Sequence, residues 1–418
     1  MIVGVCLLTL TFGFGLRYSF SVFYVTLFEE FGWGRAETAG IYSIHRLVYA
    51  ALAPVAGILV DRWGPRRLMP AALALVATGF ACAAFITSLW HLYVLLGVVL
   101  AAGIVMIEYV PNAAIVSRWV EGGRGLASAI AFTGMGTGAL IIVPLAQILI
   151  SALGWRGAFV VLGVGTFLLL TPIILLFQRG RPEEMGYEGP RPLMGGKEII
   201  LEVVNPSWAA FPWTVRTAMK TRAFWFLTIS FFLQSVSGEL MIVHQIAHVV
   251  DLRYSKTLAA STFGLVYLIA IAGMFFWGSA SDRWGRERMF LFGTIFMLAG
   301  LGLFMRLGPG AIWPLYGFVV LYGFGFGSRA PLYSAVAADL FQGRGFGAIL
   351  GALTVGFGLG GAVGPWLGGW IFDVFRSYQA AFWVVAATAA GACLFVWLAA
   401  PRKVRLPRWK DPAGISSA

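Results

Sequence analysis

Charge is what this sequence has least of. Of its 418 residues 11% are charged and 59% are apolar, and its mean hydropathy is +0.84. No soluble domain of that length looks like this, so the class is membrane-embedded. Acids are scarcer than bases, 18 against 30, which leaves a net charge of +12. Cysteine is nearly absent: Cys6, Cys82 and Cys393 all lie in apolar runs without metal-ligand spacing, so they receive no redox, catalytic or metal role. No phosphate-binding loop ending in Gly-Lys-Ser/Thr occurs, which disfavours ATP-driven pumping. An intramembrane hydrolase would need a Ser/His pair or a metal trio at matching depth. A sensor would carry a sizeable soluble output domain. The sequence offers neither, so no enzymatic activity, catalytic residue, metal or cofactor is expected.

What the sequence has is apolar runs of about 20 residues, each long enough to cross the hydrocarbon core as a helix. Twelve spans are read, at about 2–28, 37–60, 68–89, 92–117, 126–152, 157–177, 224–250, 257–280, 289–306, 311–338, 346–372 and 379–400. The first begins almost at Met1 without a positive flank and is too long for a signal-peptide core. Linkers after spans 2, 4, 8 and 10 hold Arg62, Arg66, Arg67, Arg118, Arg124, Arg283, Arg286, Arg288 and Arg344. The tail adds Arg402, Lys403, Arg405, Arg408 and Lys410. Linkers on the other side hold only Arg35, Arg156, Arg253, Lys256, Arg306 and Arg376. The positive-inside rule therefore puts both termini in the cytoplasm. The basic excess is a topology signal that also suits anionic lipid, and it is no argument for nucleic acid. The expected plan is all-α: six spans in 1–177, a cytoplasmic linker 178–223, six spans in 224–400 and a basic cytoplasmic tail 401–418. The linker ends in Trp213–Lys220, which reads as a short amphipathic surface helix.

The two halves are copies. Gly57-Ile58-Leu59-Val60-Asp61-Arg62-Trp63-Gly64 returns 221 residues later as Gly278-Ser279-Ala280-Ser281-Asp282-Arg283-Trp284-Gly285. Pro144 returns as Pro365, and Gly123-Arg124-Gly125 as Gly343-Arg344-Gly345. A duplicated polytopic helical protein with ionisable groups at membrane depth reads as a secondary transporter. The repeated Gly-x-x-x-Asp-Arg-x-Gly box resembles the signature loop of the major facilitator superfamily. Gly57, Asp61, Arg62, Gly64, Arg66 and Arg67 match its first copy, and Gly278, Asp282, Arg283, Gly285, Arg286 and Arg288 its second. Pro65 stands where a basic residue is common. The resemblance implies two pseudo-symmetric six-helix bundles and a cytoplasmic gate latched by carboxylate and arginine. Arg124–Ala131 running to Gly134, and Gly364-Pro365-Trp366-Leu367-Gly368-Gly369 running to Asp373, look like the monocarboxylate-porter and oxalate/formate-exchanger branches. Span 8 carries no Asp or Arg and span 11 no Lys, unlike those branches. The glycines from Gly360 to Gly369 also fit a drug-exporter pattern, but in span 11 rather than span 5, so close helix packing is the preferred reading.

Five strongly ionisable side chains lie well inside spans: Arg17, Arg46, Glu108, Glu239 and Arg329, on spans 1, 2, 4, 7 and 10. The resemblance makes these cavity-lining helices, while spans 3, 6, 9 and 12 carry no charge. Glu108 lies ten residues from Arg118, and Arg329 ten from Asp339, about 15 Å of helix rise and so near the bilayer centre. Glu108 and Arg329 are repeat mates and are expected to face each other. Helical spacing adds Asn112 to Glu108, Tyr322 and Tyr333 to Arg329, Tyr24 to Arg17, and Gln245 and His248 to span 7. Three arginines against two glutamates leave a positive excess that a substrate carboxylate would complete, with Arg329 and Arg17 the main candidates. Arg46, beside His45, reads as structural. Glu108, Glu239 and His248 are proton-coupling candidates, because a carboxyl that loses its arginine favours the protonated form. His244 and His248 have metal-like spacing without a third ligand.

The expectation is a facilitator-fold carrier that takes up a small organic anion, a monocarboxylate, together with a proton. It would act as a functional monomer in the lipid bilayer of a bacterial-type inner membrane. Carboxylate exchange and drug export are the alternatives.

Overall fold

Ten helices of the described residues are long and apolar enough to cross a membrane, and two local interruptions turn them into twelve crossings. The computed structural model describes residues 1–120, 124–186, 201–341 and 345–407. Gly123, Gly343, Arg344, linker residues 187–200 and the tail from 408 lie outside them. The apolar stretch Ala127–Phe177 folds back at Gly154, whose φ of +70° suits a residue without Cβ. That makes it spans 5 and 6. Span 10 is the other case: it is split into Ile312–Phe326 and Arg329–Phe341, so neither piece spans alone.

The remaining crossings are Ile2–Phe31, Arg35–Trp63, Pro65–Ala83 and Leu89–Trp119, then Arg222–Asp251, Lys256–Trp284, Arg286–Met305, Phe346–Phe375 and Gln379–Ala399. Each agrees with the expected run to within four residues, except that span 3 ends at Ala83, six residues before the expected 89. The turns after spans 2 and 8 use the repeat mates Gly64 and Gly285, at φ +72° and +96°.

Span 4 is broken at the same level as span 10. Its helix stops at Val105 and restarts at Tyr109, and Val105 is the repeat mate of Phe326. Each restart has a proline in its first turn, Pro111 and Pro331. Proline has no N–H to return to the carbonyl four residues back, here Ile107 and Gly327, and is well tolerated where a helix begins. Glu108 stands just before one restart and Arg329 opens the other. The charged residues of these spans thus sit at duplicated helix breaks at mid-depth, an arrangement that membrane transporters use around their sites.

Spans 1 and 7 are the most enclosed helices. Spans 3, 6, 9 and 12 turn exposed apolar side chains outward, among them Leu75, Leu168, Phe292 and Trp383, as lipid-facing helices should. The halves meet along spans 2 and 11, spans 5 and 8, and spans 1 and 7. Span 11 manages this with glycines on two faces. A Cβ at Gly360 or Gly364 would press on the Phe232 or Val236 carbonyl of span 7, while one at Gly358 or Gly369 would meet Ala50 or the Arg35–Ala36 backbone of span 2. Close packing therefore accounts for this stretch.

The described linker docks on the second half. Leu201–Val203 pairs antiparallel with Arg405–Pro407, a small ribbon in an otherwise helical protein. Within the expected amphipathic stretch, Val215–Ala218 is a single turn closed by a Thr214–Thr217 capping box. Trp213 is buried edge-on against Phe341, with ring centres 5.3 Å apart.

Candidate transport site

At mid-depth the charged residues resolve into two buried ion pairs and one remaining cation. Arg17 Nε lies 3.1 Å from Glu108 Oε1, joining spans 1 and 4 within the first half. Arg46 Nε lies 3.1 Å from Glu239 Oε1, joining span 2 of one half to span 7 of the other. The Tyr42 hydroxyl donates to the second Glu239 oxygen at 3.0 Å. Tyr49 stands beside both arginines, its ring centre 5.8 Å from the Arg17 guanidinium and 5.2 Å from that of Arg46. Ion pairing, with the Tyr42 hydrogen bond at Glu239, is what makes such charges tolerable away from water.

Arg329 has neutral company. Its guanidinium donates to Thr294 Oγ1 at 2.9 Å and to Met297 Sδ at 3.0–3.1 Å, and lies 4.2 Å from the centre of the Phe290 ring. One terminal nitrogen, Nη1, is buried without a partner. These contacts all lie on span 9, so the expected confrontation of Glu108 with Arg329 gives way to the Arg17–Glu108 pair. Mates occupy equal depth, but each side chain is aimed by its own bundle.

The uncharged candidates divide. Gln245 and Tyr322 come together, lining a cavity of about 10 Å³ with Gly238, Tyr267 and Phe326. The Gln245 amide nitrogen and the Tyr322 hydroxyl are both buried and unpartnered. Arg17 borders a second cavity, about 20 Å³, with Tyr42 and His45; both are water-sized. Tyr18 and Tyr267 meet across the halves at 4.8 Å between ring centres, an aromatic wall that no charge or spacing signal had marked.

Three candidates are engaged elsewhere. The Asn112 amide donates to the Ile107 and Glu108 carbonyls at 2.7 Å and accepts from Thr9 at 2.9 Å, so it mends the break in span 4. Tyr333 hydrogen-bonds to Ser230 inside the second half. Tyr24 donates to the Arg35 carbonyl at 3.2 Å, at the end of the bundle away from the boxes. His248 is enclosed by Phe304, Phe382 and Tyr378. His244 is held by the Pro365 carbonyl and Tyr378. Among the described residues no three metal-ligating side chains gather.

The boxes form latches within each half, and the copies exchange their charges. In the first, Asp61 pairs with Arg118 from the end of span 4. In the second, the mate of Arg118 is Asp339, and the cation comes from Arg286, which holds both Asp282 and Asp339, the latter at 3.1 Å. Arg286 is the mate of Pro65, so the first copy's missing base is supplied by Arg118. Arg66 bonds to the Leu175 carbonyl of span 6, while Arg62 and Arg283 are exposed. Gly57 and Gly278 face Val110 and Pro331 at equal clearance, 3.5 Å from an added Cβ.

At the opposite end the halves are bolted together. Arg35 makes a two-pronged pair with Asp251 at 2.6 and 2.7 Å, donates to Tyr378 at 2.8 Å and lies 3.5 Å from the Phe372 ring centre. The Asp373 carboxylate accepts from the Arg35 and Ala36 N–H groups at 3.0 and 2.8 Å, capping span 2 from the other half. Lys256 pairs with Glu29 nearby. Among the described residues, every hydrogen bond or ion pair between the halves lies at mid-depth or on this side, none on the side of the boxes.

Two bundles related by a repeat are thus latched individually at one end and joined at the other. The Major Facilitator Superfamily profile matches residues 5–266 and 240–416. The chain belongs to this superfamily. This facilitator is 28% identical over 411 residues to monocarboxylate transporter 11 of Homo sapiens, covering 93% of the chain and 80% of that protein. It is 28% identical over 378 residues to monocarboxylate transporter 13 of Bos taurus, covering 90% and 83%. In fold it is similar to a bacterial homolog of the human lysosomal transporter Spinster in an inward-facing, unoccupied conformation. The TM-score is 0.71 at 17% identity, over 96% of this chain and 97% of that one. The facilitator is therefore an integral membrane transporter.

Proposed function

We propose that this transporter carries a small organic anion, a monocarboxylate, together with a proton by alternating access. The observation that carries the reading is the charge balance at mid-depth. Three buried guanidiniums stand against two buried carboxylates; both carboxylates are engaged, and Arg329 is served by neutral groups. A buried cation lacking an anion favours an anionic ligand, and the similarity to monocarboxylate transporters agrees with a carboxylate. The water-sized cavity lined by Tyr267, Tyr322 and Phe326, which Arg329 does not border, offers apolar and phenolic walls that suit a short acid. With the basic box face in the cytoplasm of a bacterial-type plasma membrane, the bolted side is external and the structure is an inward-facing state.

The test is uptake of a panel of labelled carboxylates into proteoliposomes, with and without an inward proton gradient, for wild type and Arg329→Ala. The reading expects one acid to accumulate in response to the gradient and the variant to lose at least tenfold of that uptake. A folded wild type that moves no carboxylate contradicts it.

A further inference from the structure

Among the described residues, the Arg46–Glu239 pair is the one buried ion pair at mid-depth that crosses from one half to the other. Arg17 and Glu108 travel together in the first half through any rigid-body motion of the bundles. Arg46 and Glu239 do not. When spans 2 and 7 move apart to open the bolted side, this contact must break, and it is 96–97% buried at both residues. Two unpaired charges at that depth would be strongly unfavourable, so the opened state needs something to satisfy each of them.

We propose that Arg46 and Glu239 are exchangeable partners in the transport cycle: on opening, Arg46 passes from Glu239 to the substrate carboxylate, which the uncompensated charge of Arg329 draws to mid-depth, and Glu239 takes the proton. The assignment rests on the anion–proton reading above and supplies the residues that would couple its two halves. The charges balance. A neutral ion pair, an anion and a proton become a neutral carboxylic acid and a second neutral ion pair. The proton comes from water on the open side, and no bond within the substrate changes.

Three features of the surroundings fit the exchange. Tyr42 already donates to Glu239, and its hydroxyl can turn to accept from the protonated acid, so Glu239 keeps a partner in both states. Gly361 of span 11 lies against Arg46, where an added Cβ would stand 2.9 Å from Nε, so the missing side chain leaves the guanidinium room to reach across the interface. Ser235 beside it has an unpartnered hydroxyl. The charged and titratable groups around Glu239 are Arg46 and Tyr42 from span 2, Arg17 and Tyr18 from span 1, Glu108 from span 4 and Tyr267 from span 8. Span 11 presents Gly361 and Gly364. Arg17 and Glu108 neutralise each other, which leaves Arg46 as the one cation whose loss Glu239 experiences when the halves part.

The experiment uses the reconstituted full chain and the acid that wild type transports. Glu239→Gln, fixed in the neutral form, should keep exchange of labelled for unlabelled acid at equal pH on both sides. It should lose at least tenfold of gradient-driven net uptake, and the pH dependence of exchange should flatten. Arg46→Ala should lose both activities. Should either single variant fail to fold, the double variant Arg46→Gln/Glu239→Gln removes both charges together and should show neither activity. Wild-type levels of gradient-driven accumulation by Glu239→Gln or by the double variant overturn the assignment while leaving the wider reading intact. A wild type that transports no carboxylate overturns the wider reading, and this assignment with it.

Discussion

Replacing Arg35 by alanine should release the bolted side and move the carrier toward the opposite-open state. Three contacts disappear together. The two-pronged pair with Asp251 is partly solvated, since Asp251 is 31% exposed, and contributes about 1 kcal/mol. The hydrogen bond to Tyr378 contributes about 1 kcal/mol, and the guanidinium over Phe372 about 1 kcal/mol. Asp373 still caps the backbone of span 2 in the variant, so part of the bolt survives. The expected shift is roughly 3 kcal/mol, or about 100-fold in the ratio of bolted to open states. Spin labels report it directly. Thr87, in the loop between spans 3 and 4, and Thr257, at the start of span 8, are exposed residues of opposite halves on that side. They can be labelled as cysteines after Cys6, Cys82 and Cys393 are replaced. The variant should gain a longer Thr87–Thr257 distance that is minor in the parent. An unchanged distance distribution, with the variant folded, would refute the assignment of Arg35 as the bolt.

Two further outcomes follow from single residues. Asn112→Leu strands the Ile107 carbonyl, which Pro111 cannot serve, and leaves the Glu108 carbonyl only the long backbone bond from residue 112 at 3.5 Å; it should destabilise the protein by about 2 kcal/mol, seen as a lower melting temperature in detergent. KM should stay unchanged; a raised KM at unchanged stability would mean that Asn112 touches substrate instead. Gly364→Val drives a side chain to 2.5 Å from the Val236 carbonyl, an overpacking worth about 1–3 kcal/mol. It should also slow transport, because span 11 packs on span 7 with one face and on span 2 with the other. A melting temperature and rate equal to wild type would show that this stretch is not packed as described.

The architecture was legible because duplication is a property of sequence. The 221-residue offset aligns the boxes, the turn glycines and the helix breaks. The depth of the buried charges was equally plain, since helical rise converts residue count to distance. Their partners were not. Side-chain direction depends on how each helix is rotated in its own bundle, and repeat mates share depth without sharing aim. Glu108 turns toward span 1, and Arg329 toward span 9. Arg46 was read as structural because its neighbour is a histidine, yet it reaches across to Glu239 through the space left by Gly361. The Asn112 amide is spent on mending span 4 and the Tyr333 hydroxyl on Ser230 of span 7. Pro111 was the available sign of the first, since it deprives the Ile107 carbonyl of its helix bond; nothing in the sequence marked the second. The bolt was hidden for another reason: Arg35, Asp251 and Asp373 lie at span ends, where a charge on its own reads as a boundary.

The central claim is that anion and proton move together, and the lumen of a proteoliposome reports this without an imposed gradient. A pH-sensitive dye is trapped inside, and the transported acid, in its fully ionised range, is added outside at equal pH. The account predicts immediate internal acidification that follows uptake of label in constant proportion and is absent in Glu239→Gln. Uptake of label with a steady internal pH would contradict it.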